Sequence, residues 1–186
     1  MVKCTIFQIP GGHKTSQTIN NPMTDNPSRL VRIDLDEASL VTASEVIVHE
    51  RRIAVHDLLE NNSFEPLTDN VPVGKGPYHL LLSVREKRLV FDIRQQNDEL
   101  VGQLHLSMSP FRKIIKDYFM LCESYFEAIR EALPEQIETI DMARRAIHNE
   151  GSEILLERLK GKIDVDFDTA RRLFTLICSF HLRNVS

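Results

Sequence analysis

Apolar residues recur along this chain with two periods, two residues in short runs and three to four in long ones. In Leu30–Leu35 (LVRIDL) the alternation places Val31, Ile33 and Leu35 on one face of a strand. Val48, Val55, Leu58 and Leu59 then form the stripe of a helix that Ser44 caps and Asn61-Asn62 ends. Residues 63–77 read as a loop, with Pro66, Asp69-Asn70, Pro72, Gly74, Gly76 and Pro77. Three strands follow, over 79–85, 88–94 and 100–107. Leu80, Leu82 and Val84, then Leu89, Phe91 and Ile93, then Leu104 and Leu106 share one face. Short turns join these strands into an antiparallel meander. Its other face holds His79, Ser83, Asp92, Arg94, Gln103 and His105, with solvent as the simplest neighbour.

The period then changes. Ser109-Pro110 reads as an N-cap with Pro at the first helical position. Phe111, Ile114, Ile115, Tyr118, Cys122, Tyr125, Phe126 and Ile129 mark the buried face of the helix that follows, up to Leu133. Pro134 opens another helix, with Ile137, Ile140, Arg144, Ile147, Gly151, Ile154, Leu155 and Leu159 as its stripe and Gly161 as its end. The acidic run Asp164, Asp166, Asp168 leads into a last helix bearing Ala170, Leu173, Phe174 and Ile177 inward. This order predicts an α+β fold: a small antiparallel sheet, the meander plus the N-terminal strand, covered on one face by about four helices. Residues 29–186 form the expected single domain. Residues 1–28, with Pro10, Gly11, Gly12, Pro22 and Pro27, read as a disordered arm, and Met23 as an alternative start.

Composition narrows the function classes. The 186 residues are 42% hydrophobic with nine Phe, enough for a sizeable core. A net charge of −4 argues against a nucleic-acid partner, which needs a basic surface. Three widely spaced cysteines, Cys4, Cys122 and Cys178, without a CxxC pair, suit a reducing compartment. No apolar run approaches the ~18 residues of a membrane span. The expected location is the cytoplasm.

No familiar catalytic motif is present. His49-Glu50-Arg51-Arg52-Ile53 begins like the helical zinc-protease motif, but Ile53 stands where the second His is required. His49 and His56 lie about 10.5 Å apart along a helix axis, too far for one ion. No metal and no cofactor are expected. Val73-Gly74-Lys75-Gly76-Pro77 lacks the spacing of a phosphate loop. Cys122 and Cys178 sit among apolar positions and read as buried small hydrophobes.

Two charged clusters remain. In the first, helical spacing stacks Arg144, His148 and Ser152, and beside them Asp141, Arg145, Asn149 and Glu153. His148 could act there as an acid/base oriented by Glu150 or Glu153. The plainer account is an ion-paired helix face packed against Arg171 and Arg172. Gly151 in that helix marks a close approach of the last helix or a ligand, or a break. In the second, Arg112, Lys113 and Lys116 crowd a helix N-terminus, where helix stability alone prefers acids by about 0.3–1 kcal/mol each. With Ser107 and Ser109 they make an anion site, unless the Asp164–Asp168 run neutralises them. On the sheet, His79 and His105 would be cross-strand partners if their strands were neighbours.

GPYHLLLSV, RLVFDI, KDYFMLCESYFEAIR, ARRAIHNEGSE and ERLKGKIDVDFDTARRLFTLI resemble an uncharacterised protein family of alphaproteobacteria carrying a placeholder name. The likeness covers roughly Arg29 to Arg183. It implies bacterial origin, cytosolic residence and a native start close to Met23, and it supplies no catalytic residue. Two functions follow as expectations. One is a non-enzymatic binding or adaptor module for an acidic protein segment or a phosphate-bearing ligand. Its anion contacts would be Arg112, Lys113, Lys116, Arg144 and Arg145. The other is a small enzyme acting on a phosphate-containing metabolite, with His148 as acid/base and Glu150 or Glu153 beside it. Exposed Met120, on the polar side of its helix, suits a homodimer contact in either case.

Overall fold

The computed structural model describes residues 27–40, 45–68, 71–73, 75–131 and 133–180, without the side chains of 71, 72, 126 and 129–131. The expected arm up to residue 26, the Ser44 cap and Gly74 lie outside them, as do the inward-facing roles of Phe126 and Ile129.

Strand β1 (Leu30–Leu35) leads into helix α1 (Glu45–Glu60). Asn62 closes that helix and ties it to the sheet. Its amide donates to the carbonyls of Leu58 at 2.7 Å and Leu30 at 2.9 Å. Its carbonyl accepts from the Leu30 N–H at 2.6 Å. Ile47, Ala54 and Leu58 are the buried positions of α1. Leu59, expected inside, is exposed, because the helix is rotated toward Ile47 and Ala54.

The span 63–77, expected to be a loop, contains two strands, β2 (Phe64–Thr68) and β3 (Val71–Pro72). They pair with each other, and β2 also pairs antiparallel with β7 (Ile163–Val165) inside the acidic run. Pro66 and Pro72 hid these strands, since proline has no N–H to give to a strand ladder.

The main sheet comprises β1, β4 (Tyr78–Arg85), β5 (Arg88–Gln95) and β6 (Leu100–Ser107), in the order β1-β4-β5-β6. The meander β4-β5-β6 is antiparallel as expected. β1, however, lies parallel to β4, with α1 inside the crossover, so the sheet is mixed. A register irregularity between Leu30 and Arg32 turns Leu30 inward in place of Val31, while Ile33 is buried and Leu35 packs against the core as expected. One sheet face buries Leu80, Leu82, Leu89, Phe91, Ile93 and Leu106 in the core shared with the helices.

A short 3₁₀ turn (Ser109–Phe111) precedes α2 (Arg112–Glu131), and Met108 rather than Ser109 takes the cap position. α3 (Pro134–Leu159) starts at its proline as expected and runs without a break through Gly151. Gly161, at φ 74°, ends it. Asp166 caps α4 (Phe167–Cys178) by accepting from the Thr169 N–H at 2.6 Å. Thr169 Oγ1 in turn accepts from the Ser63 N–H at 3.0 Å, holding α4 to the end of α1.

Gly151 lets the Phe174 ring of α4 come close against the backbone of α3. A Cβ built there would overlap the ring of Phe174. Phe174 is fully buried, so its ring has nowhere to retreat without moving α4. Gly151→Ala is therefore expected to destabilise the protein by about 1–3 kcal/mol, although alanine is the better helix former by about 1 kcal/mol. A urea unfolding midpoint equal to or above that of the parent would refute the close contact.

Candidate functional site

α1, α3 and α4 enclose a cleft of about 240 Å³. Ala54, His148 and Thr175, all buried, lie deepest. Glu50, Ile53 and Asp57 from α1 and Asp168, Arg171 and Arg172 from α4 line the rest. The four-residue rhythm of each helix brings these side chains to one groove: Glu50, Ala54 and Asp57 on one wall, Asp168, Arg171 and Thr175 on the other.

His148 is 6% exposed and wedged between aromatic rings, with Tyr118 at 4.9 Å and Phe174 at 6.3 Å between centroids, both edge-to-face. Burial, reinforced by the positive charges of Arg144 and Arg171, pulls its pKa from 6.5 down to about 4. The imidazole is thus neutral at pH 7. Its Nδ1 lies 3.5 Å from the Thr175 hydroxyl, which itself donates to the Arg171 carbonyl at 3.2 Å. Nε2 is buried and without a partner among the described residues.

Glu150 and Glu153 do not take the expected role. Both are exposed, and the hydrogen-bond partner of His148 is Thr175 instead. Helix geometry explains this, because positions two and five residues after His148 point away from its face. The basic residues expected to hold an anion also separate. Arg144 pairs with Asp141 at 3.0 Å and Glu50 at 3.4 Å, and lies 5.3 Å over the Tyr125 ring. Arg145 pairs with the other oxygen of Asp141 at 2.7 Å. Burial opposes ionisation of Asp141, yet the two guanidiniums hold its carboxyl below the usual range. Arg144 and Arg145 are thereby occupied inside the molecule, by acids of α1 and α3 rather than by packing against α4.

Arg112, Lys113 and Lys116 are exposed at the start of α2 and make no ion pair among the described residues. The Asp164–Asp168 run does not neutralise them: Asp166 caps α4 and Asp168 lines the cleft.

Arg171 is the residue left over. It is half-buried beside His148 and makes no ion pair among the described residues. Arg172 donates to the Asn61 carbonyl at 3.3 Å. Thr175, Asp57 and Asp168 completed the site without a sequence motif. The one legible signal was Thr175 as a polar interruption of the run LFTLIC.

The remaining expectations resolve locally. Cys122 and Cys178 are buried, and burial raises both thiols, Cys122 to about 11. His79 and His105 are not partners, since β4 and β6 are separated by β5. His79 is instead buried between Asp34 at 2.9 Å and Asp98 at 3.0 Å. Asp92, also buried, accepts from Gln103 and from Arg85 at 3.5 Å. The polar sheet face is therefore divided: His79, Ser83 and Asp92 are buried, while Gln103 and His105 are exposed as expected. Among the described residues, His56, Asp57 and Glu60 are the one group whose ligand atoms lie close enough to share an ion, on an open face of α1.

The model of an uncharacterised protein family (UPF0262) matches residues 27–183. A UPF0262 protein of Cereibacter sphaeroides (strain ATCC 17025) is 57% identical over 155 residues, 83% of this chain and 98% of the relative. One from Ruegeria sp. (strain TM1040) is 56% identical over the same shares. One from Xanthobacter autotrophicus is 56% identical over 164 residues, 86% of this chain and 98% of the relative. No solved structure matches.

The depressed pKa of His148 makes a testable statement about stability. Between about pH 6.5 and pH 4 the unfolded chain binds a proton at His148 that the folded chain excludes. Stability is therefore expected to fall as pH drops through this window, by roughly 3 kcal/mol from this residue alone. Unfolding of the parent and of His148→Gln across the window isolates the effect. Parallel pH profiles for the two proteins would contradict it.

Proposed function

The chain belongs to the uncharacterised UPF0262 family, and we propose that it is a non-enzymatic binding module for a small phosphate-bearing ligand, taken into the cleft between α1, α3 and α4. The observation that carries this is Arg171, a half-buried guanidinium without a carboxylate partner among the described residues, next to buried His148 and Thr175. A guanidinium held in a cleft presents paired donors that suit a phosphate. The Thr175 hydroxyl stands beside it. Asp57 and Asp168 supply acceptors for hydroxyl or amino groups on the same ligand.

Size favours a metabolite over a protein segment. The cleft, at about 240 Å³, is smaller than the ~300–1,000 Å³ usual for drug-sized ligands. Arg112, Lys113 and Lys116 lie on α2 and take no part in it. The location we infer is the cytoplasm. Two buried, unreactive thiols suit a reducing compartment, and no described helix is long and apolar enough to cross a membrane.

The enzyme alternative draws on one observation, the unpartnered Nε2 of His148. Against it, the ring is held by Thr175 rather than by a carboxylate, and its basicity is low.

Titration with inorganic phosphate and with a panel of sugar and nucleoside monophosphates, followed by NMR at Thr175 and His148, tests the binding reading. At least one member is expected to shift both residues and raise the melting temperature. Arg171→Gln is expected to weaken that binding at least tenfold, about 1.4 kcal/mol or more. Shifts confined to Lys113 and Lys116, or binding indifferent to Arg171→Gln, would discard the cleft. Turnover of the bound compound that His148→Gln abolishes would favour the enzyme.

A further inference from the structure

The start of α2 carries its charges against the helix dipole. Arg112, Lys113 and Lys116 occupy the end where free backbone N–H groups already present positive potential, and Glu123 and Glu127 lie toward the negative end. α3 shows the ordinary arrangement, with Glu135 in its first turn and Arg158 in its last. None of these five α2 side chains makes an ion pair among the described residues. Among the described residues no ion pair compensates the inversion.

Lys113, Lys116, Met120, Glu123 and Glu127 follow one another at steps of three, four, three and four residues, which sets them along one helix face. All are exposed, and Met120, the one apolar member, is 57% exposed at the centre. Lys113 and Glu127 are each about 10.5 Å from Met120 along the axis, Lys116 is about 6 Å away and Glu123 about 4.5 Å. The pattern is self-complementary. A twofold axis through Met120 sets Lys113 level with Glu127 of a second copy and Lys116 beside its Glu123, and stacks the two methionines.

We propose that this face of α2 is a homodimer interface, in which α2 packs antiparallel against α2 of a second copy. Parallel packing would oppose lysine to lysine and glutamate to glutamate, so the charges fix the direction. The antiparallel pair also sets the two helix dipoles against each other and gives Lys113, Lys116, Glu123 and Glu127 each an opposite charge. An acidic peptide is the poorer occupant. It would answer Lys113 and Lys116 but leave Met120 open and Glu123 and Glu127 uncompensated. α2 contributes no residue to the cleft lining, so dimerisation leaves the cleft accessible.

Sedimentation velocity on two charge variants tests this. Lys113→Glu/Lys116→Glu makes the face wholly acidic, and Glu123→Lys/Glu127→Lys makes it wholly basic. The parent is expected to form a dimer that dissociates on dilution from about 1 mM and weakens with added salt. Each variant alone is expected to be monomeric, its dimerisation weakened at least tenfold. The equimolar mixture is expected to dimerise again, which also shows that both variants are folded. A parent monomeric at about 1 mM overturns the proposal. So does a dimer insensitive to both variants, or a mixture that stays monomeric.

Discussion

The contact of Phe174 with Gly151 sets the position of α4 against α3. Only a glycine lets the α4 ring come this close to the backbone of α3. Once seated, Phe174 meets Phe111 at 6.5 Å, Tyr118 at 6.2 Å and His148 at 6.3 Å. One ring therefore joins the turn before α2, the interior of α2, and α3. It also forces His148 out of water without supplying an acid to pair with it. The low basicity of His148 follows from that packing, as does its dependence on a neutral hydroxyl for its one hydrogen bond.

The opposite wall of the cleft depends on a different tie. Asn62 binds the end of α1 to β1, and Thr169 binds the start of α4 to Ser63. α1 is thus fixed against both the sheet and α4, while α4 is fixed against α3 by Phe174. Three helices located by separate constraints need not close on one another, and the remaining gap is the cleft. Glycine, asparagine and threonine at three sequence-distant positions create it together.

Much of the architecture was legible from periodicity. The meander's apolar face and the proline starts and glycine stop of the helices follow from local chemistry. What was hidden depends on long-range partners. The parallel placement of β1 beside β4 is decided by where the crossover through α1 lands. β2 and β7 each look like loop until they find each other across about a hundred residues. The charged patch around His148 was visible as residues but not as contacts. Helical spacing correctly stacked Arg145 on Asp141, yet it did not bring Arg144 to the same carboxylate and could not reveal that Glu50 from α1 also pairs with Arg144. Nor could it place Arg171 and Thr175 on the facing helix as the neighbours that matter.

The division between structural and available charge is what separates the candidate site from its surroundings. Asp141 satisfies two guanidiniums at once, and Glu50 satisfies one of them again. Such a network holds α1 to α3, and removing one member would leave a partly buried charge uncompensated. Its arginines are poor candidates for binding a ligand, because an incoming anion would have to displace acids already in place. Arg171 makes no ion pair among the described residues, and a half-buried guanidinium has already lost part of its hydration. An anion that reaches it therefore gains attraction in a partly dry setting at little further desolvation. The same reasoning distinguishes the basic start of α2, where fully hydrated cations gain little from a lone small anion. Only a ligand extended enough to meet several of them at once, as a charged helix is, would hold there.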